Sequence, residues 1–487
     1  MMKAVIVGAG LGGLAAGVRL QNAGYDVTIV EKNDHVGGKM MPVKIGDYSF
    51  DFGPNTITMP WVFESVLDPT EFDLSDYLNF IKLERHTLNV FPDGSQLLQS
   101  VHPDEMINQF KKLDPPAAQK YWDYLKEVSR LYKQSENGFF NRTFSSWRDY
   151  LSPGLTSAFL SVRPFEKLDH FHRRYFSNPD VLKVFNRYAT YIGSSPFKSP
   201  ATFGMIGHLE MSTGVFTVKG GNPKIAEAYA DVFRKTGGTI LLNTEAEEIL
   251  MNGNKAGSVK LHSGHLLKAD EVIINGDFVT ATKKLIPQKY RRSLPDSTLD
   301  GYEPSISAFV ILAGLKERNE SIHHHHVFFP EDYEKEFHDI FKENKLPEDP
   351  TIYISHSAAT DSDVSKGSNL FILVNAPATK VKNPEQYKNK IYDMLERKGV
   401  PIREQLEVEK IFTPDDLADK FYAYKGSIYG ISSHSMKDSF LRPRNKSRDI
   451  ENLYYTGGTT HPGGGSPMVV LSGINVSNMI LKKNVKK

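Results

Sequence analysis

The chain has 487 residues, more than one hydrophobic core sustains, so two domains or one elaborated large domain are expected, with room to bury a cofactor. Its 59 Lys and Arg stand against 58 Asp and Glu, a balance that gives no ground for a nucleic-acid partner or for bulk attraction to anionic lipid. Having no cysteine, it can form neither disulfides nor thiolate metal sites, and it can use neither a cysteine nucleophile nor a cysteine-linked cofactor; a reducing cytoplasm fits that composition.

The first elements carry the most information. Lys3–Val7 is a short β-branched run, Gly8-x-Gly10-x-x-Gly13 follows it directly, and a helix then runs to Gly24. In that setting Gly8 permits a tight turn, Gly10 lets backbone approach a pyrophosphate, and Gly13 lets the helix pack close on the strand. The free N–H groups of the helix N-terminus then face the phosphates. A lysine before an apolar run resembles a signal peptide only superficially, because a βαβ pattern follows at once and no cleavage site does. Asp26–Val30 alternates as a second strand and ends on Glu31, where a ribose hydroxyl needs an acceptor. Lys32 opens the next turn, Gly37 and Gly38 allow a second close approach to the nucleotide, and Lys39 is either a phosphate-facing cation or a solvated turn lysine. Strands at 40–45 and 48–51 flank Gly46-Asp47 as a hairpin. The ordered set GxGxxG, Glu31, Gly37-Gly38-Lys39 and Asp51-Phe52-Gly53-Pro54 resembles the flavin-binding half of the FAD-dependent amine oxidase and phytoene desaturase superfamily. That resemblance implies FAD as the cofactor, with Lys32, Gly38, Lys39, Gly53 and Pro54 among its neighbours.

From about residue 60 to 191 the composition points to helices with aromatic faces. Asp114-Pro115-Pro116 reads as a helix start, and Tyr121, Leu125, Val128 and Tyr132 recur at helical spacing as one buried stripe. Further helical patterns cover 180–190 and 203–211. Aromatic stripes are either plain core or, as a set, the lining of a long apolar cavity. A strand at 215–219 leads through Gly220-Gly221-Asn222-Pro223 into a helix ending at Gly237-Gly238, and short strands follow at 239–242, 245–250, 258–262 and 271–275. The resemblance places backbone at Ala246 on the adenine side of FAD. Apolar strands at 305–314, 351–356 and 369–375, with an amphipathic helix at 385–398, suggest a second sheet. The histidines at 323–326 are expected to hold no metal, since consecutive strand residues point to opposite faces; a solvated or core-edge cluster is the favoured reading.

The stretch 452–479 brings a second glycine loop to a second helix. A strand at 453–456 is broken by Gly457-Gly458, and a helix at 468–479 is framed by Gly463, Gly464, Gly465, Ser466 and Pro467. Here the chain resembles bacterial carotenoid desaturases and the related carotenoid oxidases, which end on a like THPG-x-G-x-P signature. The resemblance covers most of the chain. Tyr191-Ile192-Gly193, Gly220-Gly221 and the stretch 346–353 resemble the C30 branch, while 468–473 looks more like the oxidase subgroup. It implies a polyene hydrocarbon substrate, with Gly458, Gly465, Ser466, Pro467 and Met468 beside the flavin. A polyene offers no acidic proton and no carbonyl, so a flavin carries the oxidation and the protein positions. Backbone N–H groups at Gly465 and Ser466, with the helix dipole, would stabilise negative charge near flavin N1. His461 is either a catalytic acid or base or a loop residue holding the glycine turn.

These readings converge on an FAD-dependent oxidoreductase, expected to be a desaturase of a C30 or C40 polyene in carotenoid biosynthesis, passing electrons to oxygen or a quinone. The alternative is a terminal-methyl oxidase that makes a carotenoid aldehyde. A flavin amine oxidase would want a polar cage that no residue set declares, and a non-enzymatic prenyl-binding escort protein of this fold would bind no flavin. The expected fold class is α/β, a discontinuous Rossmann-like FAD-binding domain (1–80, 213–290 and 445–487) with a mixed α+β substrate domain (81–212 and 291–444). No run of about 18 apolar residues occurs, so the protein is expected in the cytoplasm with peripheral contact to the inner face of the membrane. Trp61 and Phe63 are candidates for the cavity mouth.

Overall fold

The structure, a computed structural model, describes residues 1–143 and 153–485. A five-stranded parallel sheet has the order Leu453–Tyr455, Glu271–Ile274, Lys3–Val7, Asp26–Val30, Thr239–Leu241. Lys3 lies opposite Asp26 and Val7 opposite Val30. Parallel strands are buried on both faces, which is why these segments are short runs of β-branched residues. Ala4, Ile6, Val27 and Ile29 pack into the cluster that holds the Leu11–Asn22 and Lys224–Lys235 helices. Val5, Val30 and Ile274 face the other way, onto a three-stranded antiparallel sheet of Ala246–Asn252, Lys255–Leu261 and Leu266–Lys268.

The Ser466–Val485 helix packs against Leu11–Asn22 with the backbones in contact. A Cβ on Gly473 would lie 2.2 Å from Gly12 O, and one on Gly12 would lie 3.0 Å from Val469 O. Both helices therefore bring their N-termini to the same end of the parallel sheet. The second helix begins at Ser466, two residues before its expected start, so Ser466 and Pro467 form its first turn.

The second sheet is mixed, with seven strands in the order Leu406–Phe412, Ser307–Leu315, Ser368–Ala376, Ile352–His356, His325–Phe328, Arg85–Val90, Gln96–Ser100. Residues 80–100 thus depart from the helical expectation: Phe80–Leu83 pairs with Val215–Val218, and the next two segments form the sheet edge. The reason lies in buried polarity. His86, Thr87, Asn89, Gln99 and Ser100 are all buried, so the inward face has no apolar alternation to read. The histidines are a core feature rather than a solvated one, with His324, His325 and His326 buried; among the described residues no cluster could hold a metal ion. The Pro115–Ser135 helix forms as expected, with Asp114 accepting from Ala117 N–H and Tyr121, Leu125, Val128 and Tyr132 all buried. Among the described residues no helix is long and apolar enough to cross a membrane.

Candidate active site

One continuous cavity of about 560 Å³ runs from the C-terminal ends of the parallel strands to the second sheet. That end of an open parallel sheet is where the loops leave backbone donors for a ligand. The Leu11–Asn22 helix has Gly10 as its N-cap, no capping side chain and no acid in its first turn, so its first N–H groups are left for a guest. Gly8 has φ +106° and turns the chain against Asn275, where a Cβ would sit 2.5 Å from the carbonyl oxygen. A Cβ on Gly13 would sit 2.3 Å from Gly8 O, so strand and helix touch through backbone alone.

Glu31 is buried at the next strand end. Its Oε2 accepts from Ala9 N–H at 2.8 Å and its Oε1 from the Asn33 backbone N–H and Nδ2, both at 2.9 Å. A carboxylate has about four acceptor positions, so one remains for a ribose hydroxyl. Lys32 lines the cavity too, but its Nζ donates to Asp419 O at 2.7 Å and lies 3.3 Å above the centre of the Tyr422 ring. Lys39 does not stand free in solvent: it is half-buried and donates to Ile428 O at 2.9 Å and Ser427 O at 3.2 Å. Burial lowers it to about 8 against the attraction of Asp277. Gly38, Gly53, Pro54 and Ala246 all line the cavity, and Gly53 packs so tightly that a Cβ would meet Lys39 O.

The closing loop is built differently. Gly458, Gly465, Ser466, Pro467 and Met468 line the cavity, and a Cβ on Gly465 would meet no protein atom within 4 Å. Ser466 Oγ is buried with no hydrogen-bond partner among the described residues, as is Asp277 Oδ2. His461 is buried, and its Nε2–H is offered to Phe139 O at 3.1 Å and Arg142 O at 3.0 Å. Burial lowers its pKa to about 4, so at neutral pH the ring is uncharged. The imidazole joins the 139–142 turn to the glycine loop. Unpaired helix N–H groups, an orphaned hydroxyl and an open glycine cradle at opposite parts of one cavity fit a long, polyanionic, ring-bearing group.

The chain matches the flavin containing amine oxidoreductases over residues 11–481. It belongs to that family. Its cofactor is FAD and it is an FAD-dependent oxidoreductase. A 4,4'-diapolycopene oxygenase of a Methylomonas species is 32% identical over 98% of each chain. A 4,4'-diaponeurosporene oxygenase of Staphylococcus aureus is 29% identical, covering 99% of this chain and 98% of its own. An oxidoreductase of Methanosarcina mazei, 16% identical, shares the fold at a TM-score of 0.63 over 98% of this chain and all of its own.

Several residues of this flavin amine oxidoreductase site escaped sequence reasoning. Asn275 is the hub beneath both glycine loops: its Nδ2 donates to Gly8 O at 3.0 Å, and its Oδ1 lies 3.2 Å from where a Gly457 Cβ would be. Arg442, buried and lowered to about 10 by burial, donates from Nη1 to Ser433 Oγ and from Nη2 to Tyr429 O. It thereby holds the Tyr429 segment behind Gly463 and Gly464. A polar residue ending the apolar run Val272–Ile274 was a signal for Asn275; nothing local marks Arg442.

Proposed function

We propose that the chain oxidises a terminal methyl group of a linear carotenoid to an aldehyde, with dioxygen as the final electron acceptor. Full-length similarity to two carotenoid oxygenases carries this reading over desaturation. In the balanced reaction the methyl carbon loses two hydrogens and gains one oxygen; four electrons pass to dioxygen, whose second oxygen atom leaves as water. When bound, FAD supplies the two-electron steps between carbon and dioxygen. The protein's part is to hold an apolar chain in place and keep water out. Phe139, Phe140, Phe203, Leu209, Phe371 and Leu373 offer the walls for that task.

In this reading Gly8, Gly10, Gly13, Glu31 and Ala246 serve the adenine, ribose and pyrophosphate end, with Lys32, Gly38, Lys39, Gly53 and Pro54 lining the path. Gly458, Gly465, Ser466, Pro467 and Met468 serve the ring. The segments 1–80, 213–290 and 445–487 form the cofactor domain, and 81–212 with 291–444 form the substrate part. Peripheral membrane contact supplies the lipid-soluble substrate. Phe63 is fully buried, which removes it as a mouth residue, and Trp61 is 39% exposed. The better mouth is a run of rings: Phe165 (71% exposed) touches Phe159, which touches Phe440, which touches the cavity-lining Phe139. Leu160 and Leu441 are exposed beside it.

The test supplies a C30 hydrocarbon polyene in liposomes, in air, to the purified FAD-loaded protein. A product with a terminal carbonyl and an unchanged count of carbon–carbon double bonds is expected. A product with added double bonds and no oxygen would return the chain to the desaturases.

A further inference from the structure

Beyond the glycine loops the cavity carries a charge that a hydrocarbon guest does not explain. Arg187 begins the Arg187–Ile192 3-10 helix, lines the cavity and is 7% exposed. Its Nε finds no hydrogen-bond partner among the described residues. The nearest carboxylate oxygen, Glu210 Oε1, stands 3.8 Å from Nη2, beyond hydrogen-bond reach. Glu210 is fully buried and already engaged: Tyr191 donates its hydroxyl to Oε1, and Gln99 Nε2 donates to Oε2 at 3.1 Å. Glu210 thus balances the guanidinium charge yet leaves its fork of donors short of an acceptor. Neighbouring His86 is held neutral by burial, which lowers it to about 4. Tyr191 and Tyr353 stand on the same cavity wall, Tyr353 with its hydroxyl 2.8 Å from His325 Nδ1. A buried donor without an acceptor is unfavourable, and it is worst when the donor is charged. Nε itself has no surface toward the cavity, but Nη1 and Nη2 have no hydrogen-bond acceptor among the described residues either; a hydrocarbon chain would shut water out of this corner and leave these donors unpaired, and a ligand oxygen would complete them.

We propose that Arg187 is the docking point for an oxygen atom on the end of the polyene, so that the site takes a terminally hydroxylated or carbonyl-bearing polyene in preference to the hydrocarbon. The proposal rests on the polyene reading above and deepens it: the partly oxidised chain is a ligand in its own right, not only a product. Charge-assisted hydrogen bonds exceed neutral ones, and the guanidinium fork suits a carbonyl or hydroxyl oxygen.

The test titrates FAD-loaded protein with a polyene aldehyde and with the hydrocarbon of equal chain length, following flavin fluorescence and the polyene absorption band. The aldehyde is expected to bind about tenfold more tightly or better. Its band should also move to longer wavelength on binding, because a cation at the carbonyl oxygen draws charge along the conjugated chain. Arg187→Met should abolish the band shift and bring the two affinities together. That variant leaves Glu210 buried without its counter-charge, so Arg187→Met paired with Glu210→Gln is the version to use if the single change lowers FAD loading. Arg187→Lys should restore part of the shift. Equal affinities and no shift in the unaltered protein would overturn the proposal while the polyene reading stands. Persistence of preference and shift in the paired variant would overturn the assignment to Arg187. Failure of both polyenes to bind would overturn the proposal and the polyene reading together.

Discussion

At Gly8 and Gly13 an added Cβ would run into the protein's own backbone, whereas at Gly465 it would meet no protein atom within 4 Å. Both loops are glycine-rich, both precede a helix N-terminus and both face one cavity. The first is closed by the chain itself, since strand, turn and helix need the missing side chains in order to pack. In the second, Gly464 is packed as tightly, its Cβ position 2.5 Å from the Tyr429 ring, and Gly465 alone of its three glycines stands open. Glycine content alone therefore does not say whether a given glycine is needed for packing or leaves space beside the cavity; the neighbour of the absent Cβ does.

The largest effect should come from crossing that distinction at the closed loop. Gly13→Val puts a branched side chain where Gly8 O already lies, at 2.3 Å from the Cβ position, and nothing nearby can move without breaking the central strand pairing. A loss of more than about 4 kcal/mol is expected, seen as absence of soluble protein with or without added FAD. Soluble, flavin-free Gly13→Val protein would mean that Gly13 acts on the cofactor alone and not on the packing of helix against strand.

Acid should next distinguish the loops through His461. The folded pKa is lowered to about 4 from an ordinary 6.5, so the neutral ring contributes stability that is fully present above about pH 6.5 and is lost as pH falls toward 4. The shift corresponds to about 3 kcal/mol at most. His461→Gln keeps a side-chain N–H for Phe139 O and Arg142 O but cannot titrate in this range. Its melting temperature should therefore fall less than that of the unaltered protein between pH 6.5 and 4. Parallel curves would remove His461 as the acid-sensitive pin.

The same contrast explains what could be read before the fold was known. Gly8, Gly10, Gly13 and Glu31 sit within one βαβ unit, so their spacing along the chain is their spacing in space. The Ser466 helix start and its glycines are equally local. Arg85–Val90 was missed because its buried positions are polar, with Asn89 Nδ2 donating to Gln99 Oε1 at 3.1 Å. Arg187 and Glu210 are 23 positions apart in a stretch that reads as aromatic helix, and only the packed structure sets them face to face. Lys39 lines the cavity, and its carbonyl partners come from 427–428, 388 and 389 positions away. Local geometry was legible; partners supplied by tertiary contact were not.

Under the proposed function the first loop sets affinity for FAD and the second the chemistry, and the most direct test is an FAD titration read by turnover for Glu31→Ala and Gly465→Val side by side. Glu31→Ala should need more FAD, by about 1–3 kcal/mol of affinity, and then approach the turnover of the unaltered protein at saturation. Gly465→Val strains a position at φ +98° and fills the space beside the ring, so it should saturate near the original FAD concentration yet turn over at least about a hundredfold more slowly. The crossed outcome, with Gly465→Val losing FAD and Glu31→Ala binding it normally but reacting slowly, would contradict the assignment of the two loops to the two ends of the cofactor.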